Sequence, residues 1–436
     1  MKKSVLVLLL LLVLIIIVSP GIVGKLAEQT VDENLEWAAR ESGELVVSAE
    51  NYDRGWFSSE GQHRIEIGEG GLRTALSANS DSDELPVLII NTHIDHGLIP
   101  LSSMGREQGS LAPGLGSAVS TLAIEIGNSE RIELPGAIYS KLGFGGDLDS
   151  RYTVEAGARS IDGGEVTWQP SMIQFASNFD SGSVAFNGDI GAMTFGNDQQ
   201  VVAIDRMSLV GRQEATGYGF KVGDVEMSIG PVNMTSGDMS AGGMQGMSLS
   251  ASSAVSDGIV SAEVRLEIDA QTVPGFGEIS VLGDIRLDGV DATALGALIS
   301  RLEEQSDAQD ASLALQQAQQ ELKDLLAAGL DINVDQFDVA LPMGTVETKL
   351  TLGIPASDQA SFEWASLLLS TVATLDIIVP EELVQLATSM SPQAGALIGM
   401  GYLKKDGAAY IMDANLEKGL LTINGAPVPL PLGALQ

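Results

Sequence analysis

The sequence predicts a mainly β protein with helices (α+β), in which an N-terminal transmembrane helix precedes an elongated, exported domain rich in antiparallel sheet. Three observations predict this class: an uncharged apolar run near the N-terminus, many segments in which apolar and polar residues alternate, and a few stretches of helical periodicity. Alternation is typical of strands with one buried and one solvated face, as antiparallel sheets have.

The apolar run from Val5 to Val23 is long enough to cross about 30 Å of hydrocarbon. Lys2 and Lys3 precede it and an acidic chain follows, so we expect a cytoplasmic N-terminus and an exported remainder. A cleaved signal peptide is the alternative, because Ser19 and Gly21 form a passable small-residue cleavage site. The helical pattern that continues beyond the run, and the lack of alanine at this site, favour a retained anchor.

The composition excludes several classes of function. The 436 residues include no cysteine, which rules out disulfides, thiolate nucleophiles and Cys-ligated zinc. Acidic residues number 58 against 23 basic ones, so the net charge is −35. Such a charge argues against a nucleic-acid partner and against attachment to anionic lipid by charge.

We predict three parts along the chain. Residues 1–24 form the transmembrane anchor, residues 25–290 form a β-rich part, and residues 291–436 form a helix-plus-hairpin part that packs on the same sheet system. In the second part, residues 24–41 continue as a helix, and a hairpin of residues 45–59 and 63–67 follows.

A third strand, residues 85–94, leads into the second of two short motifs. The first motif is Asn51-Tyr52-x-Arg54-Gly55-x-Phe57-Ser58-Ser59, and the second is Asp95-His96-Gly97-x-x-Pro100-Leu101. Together they resemble the YdgA-like family, gammaproteobacterial envelope proteins that carry domain of unknown function 945. The resemblance implies a single-pass bacterial inner-membrane protein with its bulk in the periplasm, and it implies no established activity. Leu98 departs from the family, which usually has proline there.

The segment His93-x-Asp95-His96 suggests zinc, because two imidazoles and a carboxylate suit that ion. On a strand, however, His93 and Asp95 would share one face while His96 points to the other. We therefore expect His96 to be structural, bonding backbone at a turn before Pro100, and Arg54 to bridge the hairpin connection. No nucleophile-elbow motif surrounds Ser58 or Ser59, so we do not expect either to act as a nucleophile. We predict no catalytic residue, cofactor or metal, and no enzyme.

Short strands with turn signals at steps of 8–12 residues fill residues 122–289. The clearest are Ala262 to Ala270 and Ile279 to Leu287, where apolar and charged residues alternate. The methionine-rich segment Met227 to Ser256 lacks a regular period, so we predict loosely specified strands and loops there, with a copper site as the minor alternative.

Helices return after residue 290. The predicted elements are a helix over 291–302 continuing at 313–326, a hairpin of 332–339 and 346–354, helices over 361–374 and 381–390, and strands over 409–412 and 419–425.

Two functional hypotheses stay open, and a third, a periplasmic hydrolase, is the least favoured because no catalytic motif supports it. The first is a membrane-anchored β-groove, like that of AsmA-like envelope proteins, which handles lipid or another apolar envelope component. Because helices are few for so many amphipathic strands, this hypothesis predicts an apolar trough that the chain leaves uncovered. The second is an interaction scaffold that associates with itself or with another envelope protein, without catalysis.

Overall fold

The computed structural model describes residues 45–68, 73, 85–96, 114–126, 131–161, 164–178, 181–197, 199–237, 239–273, 277–303, 318–357 and 364–429. The predicted anchor and the helix predicted over 24–41 lie outside these residues. Among the helices that the structure describes, none combines the length and the apolar character that a membrane span requires.

Strands dominate the described residues. In chain order they are β1 Leu45–Arg54, β2 Ser58–Ile67, β3 Pro86–His96, β4 Gly116–Ile126, β5 Ile132–Glu133, β6 Ala137–Leu142, β7 Asp147–Val154, β8 Gly157–Ile161, β9 Gly164–Trp168, β10 Ser171–Asn178, β11 Ser183–Ile190, β12 Met193–Gly196, β13 Gln200–Ile204, β14 Met207–Ala215, β15 Lys221–Ile229, β16 Val232–Ser236, β17 Met239–Ser256, β18 Ile259–Val273, β19 Gly277–Asp291, β20 Leu330–Leu341, β21 Gly344–Ile354, β22 Val372–Pro380, β23 Lys404–Asp406, β24 Ala409–Glu417, β25 Leu420–Ile423 and β26 Ala426–Val428.

Five helices are described beside these strands. They are α1 Ala292–Glu303, α2 Gln319–Ala328, α3 Trp364–Ser370, α4 Glu381–Met390 and α5 Pro392–Gly399. The prediction of a mainly β chain with few helices is confirmed.

The chain divides into two compact units. The first unit comprises Met1–Ala156 and Gln169–Ile190, and the second comprises Gly157–Trp168 and Gly191–Gln436. The boundary predicted at residue 290 falls inside the second unit, where β19 leads directly into α1. That three-part division stays a prediction.

The strands of the first unit pair in antiparallel fashion, mostly with their neighbours in the chain. The order is β1-β2-β3-β4-β6-β7-β10-β11, with the short β5 also paired to β4. The predicted first hairpin is present as β1 and β2, and the predicted third strand as β3. This sheet therefore follows directly from the period-two alternation of the sequence.

The second unit is organised around the long strand β17. One edge of β17 pairs with β16 and β15, and the other edge begins the run β18-β19-β20-β21-β22-β24-β25-β26. All of these pairings are antiparallel. The predicted strands over 262–270, 279–287, 332–339 and 346–354 are confirmed as parts of β18 to β21.

A buried core lies where α1 and α2 pack on one end of the strands β18, β19 and β20. Val260, Val290, Ala292, Leu325 and Leu330 form its centre. Gly329 has φ = +88°, a conformation that favours glycine, and it ends α2 as the sequence predicts. The two helical segments predicted on either side of residues 305–310 are present as α1 and α2.

Three local elements differ from what the sequence predicts. The methionine-rich segment forms strands, as predicted, but they are more regular than expected: after the end of β15 come β16 and the long strand β17, because β15, β16 and β18 supply partners for the β17 backbone. The helix predicted over 361–374 ends at Ser370, since the β-branched run that begins at Val372 pairs between β21 and β24. Helix α5 has no counterpart among the predicted elements; Pro392 opens it because the missing N–H of a proline is not needed at a first helical position.

Candidate functional site

The first three strands bring the two sequence motifs together. β1 and β2 form a hairpin in which Arg54 lies opposite Ser59, and the Gly55 N–H donates to the Ser58 carbonyl at 2.8 Å. Asp95 lies opposite Ser58 on β3, beyond β2. The motif residues Gly97 and Pro100 lie outside the described residues.

One face of these strands carries a buried serine–histidine pair. Ser59 Oγ lies 3.1 Å from His96 Nε2, and each residue is 1% exposed. The backbone N–H of His96 also donates to the Phe57 carbonyl at 3.0 Å. The His96 ring therefore contacts a side chain of the first motif, while the turn backbone that the sequence suggested as its partner lies outside the described residues. Its structural role stays a prediction.

Tyr52 lies on the same face and packs over a glycine. A Cβ built on Gly61 would lie 3.0 Å from Tyr52 Cδ2 and 3.3 Å from the His63 ring. Register places Tyr52 directly opposite Gly61, and His63 is 2% exposed. Gly61 therefore leaves room for two rings. His63 is outside the two motifs, although its spacing of two and four residues from Gly61 and Ser59 places all three on one face.

The opposite face carries His93 between two carboxylates. His93 Nδ1 lies 3.3 Å from Glu60 Oε1, and His93 Nε2 lies 3.3 Å from Asp95 Oδ1. The prediction that His93 and Asp95 share a face, with His96 on the other, is confirmed. Asp95 is 2% exposed, whereas Glu60 is largely in solvent. Within the described ranges, no group of three or more His, Asp or Glu side chains is arranged to hold a metal ion.

An open polar trough of about 680 Å³ lies over this face. Its lining is rich in amides and carboxylates, and it includes Asn51 of the first motif and His93. The remaining polar side chains that line it are Asp53, Glu60, Gln62, Asn91, Thr92, Thr121 and Tyr139. Most of the side chains that line it are polar, which suits a ligand with hydrogen-bonding groups.

The second unit has an apolar surface of a different kind. One residue from each of nine strands lies directly opposite the next, and all nine side chains are apolar. We call this set the apolar row: Val225, Ala251, Val264, Ile285, Val334, Leu350, Leu375, Ala414 and Ile423. None of the nine is fully buried.

Exposure is greatest near the middle of the row. Val264 and Ile285 are each 40% exposed, and so is Phe337, which lies beside the row and packs over Gly283. Leu287 and Ile332 lie two residues along their strands from Ile285 and Val334 of the row, and they pack against the core beneath α1 and α2. The helices therefore cover one end of the apolar face and leave the row itself partly open.

The reverse face of the same strands is polar and charged. Glu263 and Arg286 lie opposite each other there, and so do Arg265 and Asp284. Arg286 also hydrogen-bonds Asp335, and this bond is the main reason that the pKa of Arg286 is raised. Charged groups on one side and aliphatic groups on the other make the sheet amphipathic.

Comparison with known proteins adds a family and one distant relative. The family model described as "Bacterial protein of unknown function (DUF945)" matches residues 1–431. "Protein YdgA" of Escherichia coli (strain K12) is 23% identical over 235 residues, which are 51% of this chain and 45% of that protein. The match thus covers about half the length of the relative. No solved structure matches the chain.

Proposed function

The chain belongs to the DUF945 family of bacterial proteins, as its two motifs predicted, and on that premise we propose that it is a membrane-anchored envelope protein that holds the acyl chain of a lipid. The proposed binding surface is the apolar row of the second unit. The role is one of binding and transfer, and it requires no catalytic residue.

The observation that carries this proposal is the exposure of Val264, Ile285 and Phe337 at 40% each. Apolar surface in water costs about 25 cal/mol per Å², and a contiguous patch on a soluble domain is usually a binding surface. The same face is covered by helices one step further along the strands. The fold therefore has the means to cover apolar surface and leaves this row open.

The dimensions of the row favour a linear aliphatic ligand. Nine strands at about 4.8 Å spacing give a row roughly 38 Å long. Its side chains are aliphatic, with the Phe337 ring beside them, and no charged residue interrupts the row. An uncharged aliphatic surface of this kind suits an acyl chain better than a compact polar molecule, and it is long enough to hold one, since an acyl chain spans about 15 Å of a membrane leaflet.

The N-terminal segment supplies the proposed location. We infer that Val5 to Val23 stays attached as a single-pass anchor in the inner membrane, with the bulk of the chain in the periplasm. A C-terminally tagged chain should then sediment with inner membrane and resist carbonate extraction. A soluble mature protein that lacks residues 1–21 would contradict the anchor and would leave the lipid-binding surface to be tested separately.

Photo-crosslinking in native envelopes tests the lipid proposal. A benzophenone amino acid replaces Phe337 on the apolar face, and in a control it replaces the neighbouring Asp338 on the polar face. Mass spectrometry should find lipid attached at position 337 and not at position 338. Adding Ile285→Asp should remove the lipid adduct, because a carboxylate in the row opposes burial of an acyl chain.

The alternative is the interaction scaffold, with a second copy or an envelope protein covering the same face. It predicts peptide adducts at position 337 in place of lipid. Peptide adducts alone, or equal labelling at positions 337 and 338, would overturn the lipid proposal.

A further inference from the structure

A second apolar surface lies away from the row, on the hairpin that α4 and α5 form. Val384 on α4 is buried, and α4 packs against β22 and β24. The outer side of the hairpin presents Met390, Leu397 and Met400, which are 72%, 41% and 56% exposed. Gln393 and Ala396 are also exposed and share the outer face of α5 with Leu397 and Met400, since these residues are three, four and seven apart.

Hydrogen bonds at both ends of α5 position the hairpin so that these side chains lie together. The Ser391 N–H donates to the Ala387 carbonyl at 2.8 Å, and α5 begins at the next residue. After α5, the Asn424 amide donates to the carbonyls of Gly401 and Tyr402 at 2.9 and 3.1 Å. A side chain from the sheet therefore fixes the end of the hairpin.

The charges around the hairpin lie at its two ends and leave its tip uncharged. No residue from Leu383 to Leu403 is charged, in a chain of net charge −35. Glu382 lies about 12 Å from Met390 along α4, at 1.5 Å per residue. At the other end Tyr402 and Leu403 lead into Lys404 and Lys405; Lys405 hydrogen-bonds Glu381 at the start of α4, and Lys404 is exposed beside the tip.

An uncharged apolar tip flanked by tyrosine and lysine is the pattern of a segment that lies in the interfacial layer of a membrane. The net charge of the chain opposes attachment to anionic lipid through charge, so insertion of apolar side chains must supply the attraction. A zwitterionic bilayer meets both conditions, because it offers apolar depth without a strong negative surface.

We propose that the α4–α5 hairpin docks on a lipid bilayer by inserting Met390, Leu397 and Met400 into its interfacial layer. This surface is distinct from the apolar row, so it stands independently of the proposed acyl-chain binding. It would bring the second unit into contact with a membrane surface.

The absence of cysteine makes a direct test possible. Full-length chains carrying Leu397→Cys or Met390→Cys are labelled with an environment-sensitive fluorophore and reconstituted through their own N-terminus into phosphatidylcholine vesicles. Met239→Cys is the matched control, because Met239 is 73% exposed and lies on β17 of the same unit. All three chains share the same anchor, so any difference between probes arises from their position.

Probes at 397 and 390 should shift to shorter wavelength and be quenched by nitroxide-labelled lipid, whereas the probe at 239 should show neither effect. Met400→Glu in the Leu397→Cys chain should reduce the membrane-contacting fraction at least about tenfold, since insertion of a methionine side chain is lost and a charge is added. Raising the salt concentration should not reverse the contact.

Equal responses at 397 and 239 would overturn the proposal. So would a blue shift at 397 without quenching by labelled lipid, because that result indicates a second copy or another protein on the hairpin. The probe at 397 reports contact without a disruptive substitution, so a folding defect in the Met400→Glu chain would not obscure the outcome.

Discussion

Ser59 Oγ lies 3.1 Å from His96 Nε2 in the interior of the first unit, and this contact joins the two sequence motifs across 37 residues of chain. Both residues are 1% exposed, so neither side chain can exchange this partner for bulk water. The pair explains why a serine of one motif and a histidine of the other belong together, without requiring that either one act on a substrate.

The first prediction concerns this pair. Ser59→Ala should lower the free energy of unfolding of β2 and β3 by about 1–3 kcal/mol, because a buried imidazole nitrogen loses its partner. His96→Ala should cost at least as much, and the double variant should cost less than the sum of the two. Hydrogen exchange of peptides from β2 and β3 measures the change.

Ser58→Ala is the matched control, since Ser58 is the neighbouring serine on the opposite face, and its cost should be well under about 1 kcal/mol. Variants of Ser59 or His96 that are as stable as the parent but lose an envelope phenotype would instead assign both residues to a functional site.

The second prediction concerns Gly296 within α1. A Cβ at this position would lie 2.1 Å from the Tyr218 carbonyl oxygen, a backbone atom that cannot move alone. Alanine improves helix propensity by about 1 kcal/mol, but this gain cannot offset such an overlap. Gly296→Ala should therefore destabilise the unit and increase hydrogen exchange in α1.

Gly399, the last residue of α5, is the control because a Cβ there would contact nothing within 4 Å. Gly399→Ala should be neutral or slightly stabilising. Equal effects of both substitutions would contradict the close packing of Gly296 on the Tyr218 carbonyl.

The third prediction compares two valines of one sheet. Val290 is 2% exposed in the core beneath α1 and α2, whereas Val264 in the apolar row is 40% exposed. Val290→Ala should cost about 2–3 kcal/mol, and Val264→Ala should cost less than about 1 kcal/mol. Urea unfolding of the full chain in detergent measures both. Equal costs would mean that another molecule covers the row. The measurement would then be repeated after any copurifying lipid is removed.

The fourth prediction concerns stability at alkaline pH. Burial raises the pKa of Tyr152 above its ordinary value of 10.0, and its hydroxyl donates to the Pro135 carbonyl at 2.6 Å. The folded chain therefore keeps this proton to higher pH than the unfolded chain does. Stability from this group is complete below pH 10 and is lost as the pH rises through the folded pKa.

Tyr152→Phe should lower stability at pH 7 by about 1 kcal/mol, because the hydrogen bond is lost. The further loss between pH 10 and 12 should be shallower than in the parent chain, since one group no longer titrates. Melting curves across this range test the prediction, and parallel declines in the two proteins would contradict it.

Much of the fold could be predicted because local patterns carry it. The alternation over residues 262–270 of β18 and 284–288 of β19 assigns the apolar side chains there to one face, and the same period-two rule separates His93 and Asp95 from His96. Prediction was least complete where local patterns are weak. The glycine-, serine- and methionine-rich sequence of β17 has no regular period, so its strands were predicted without bounds, and its length is set by the partners on its two edges.

The sequence by itself determined the family motifs, the acidic and cysteine-free character of the chain, and the amphipathic strands, because each of these depends on residue identity or on spacing within one segment. Only the tertiary structure decided that Ser59 meets His96, that nine apolar residues from nine strands align into one row, and that α1 and α2 cover one end of that face but not its middle. These outcomes depend on strand register and on where the helices pack. Both are set by contacts between segments far apart in the chain, which no local pattern encodes.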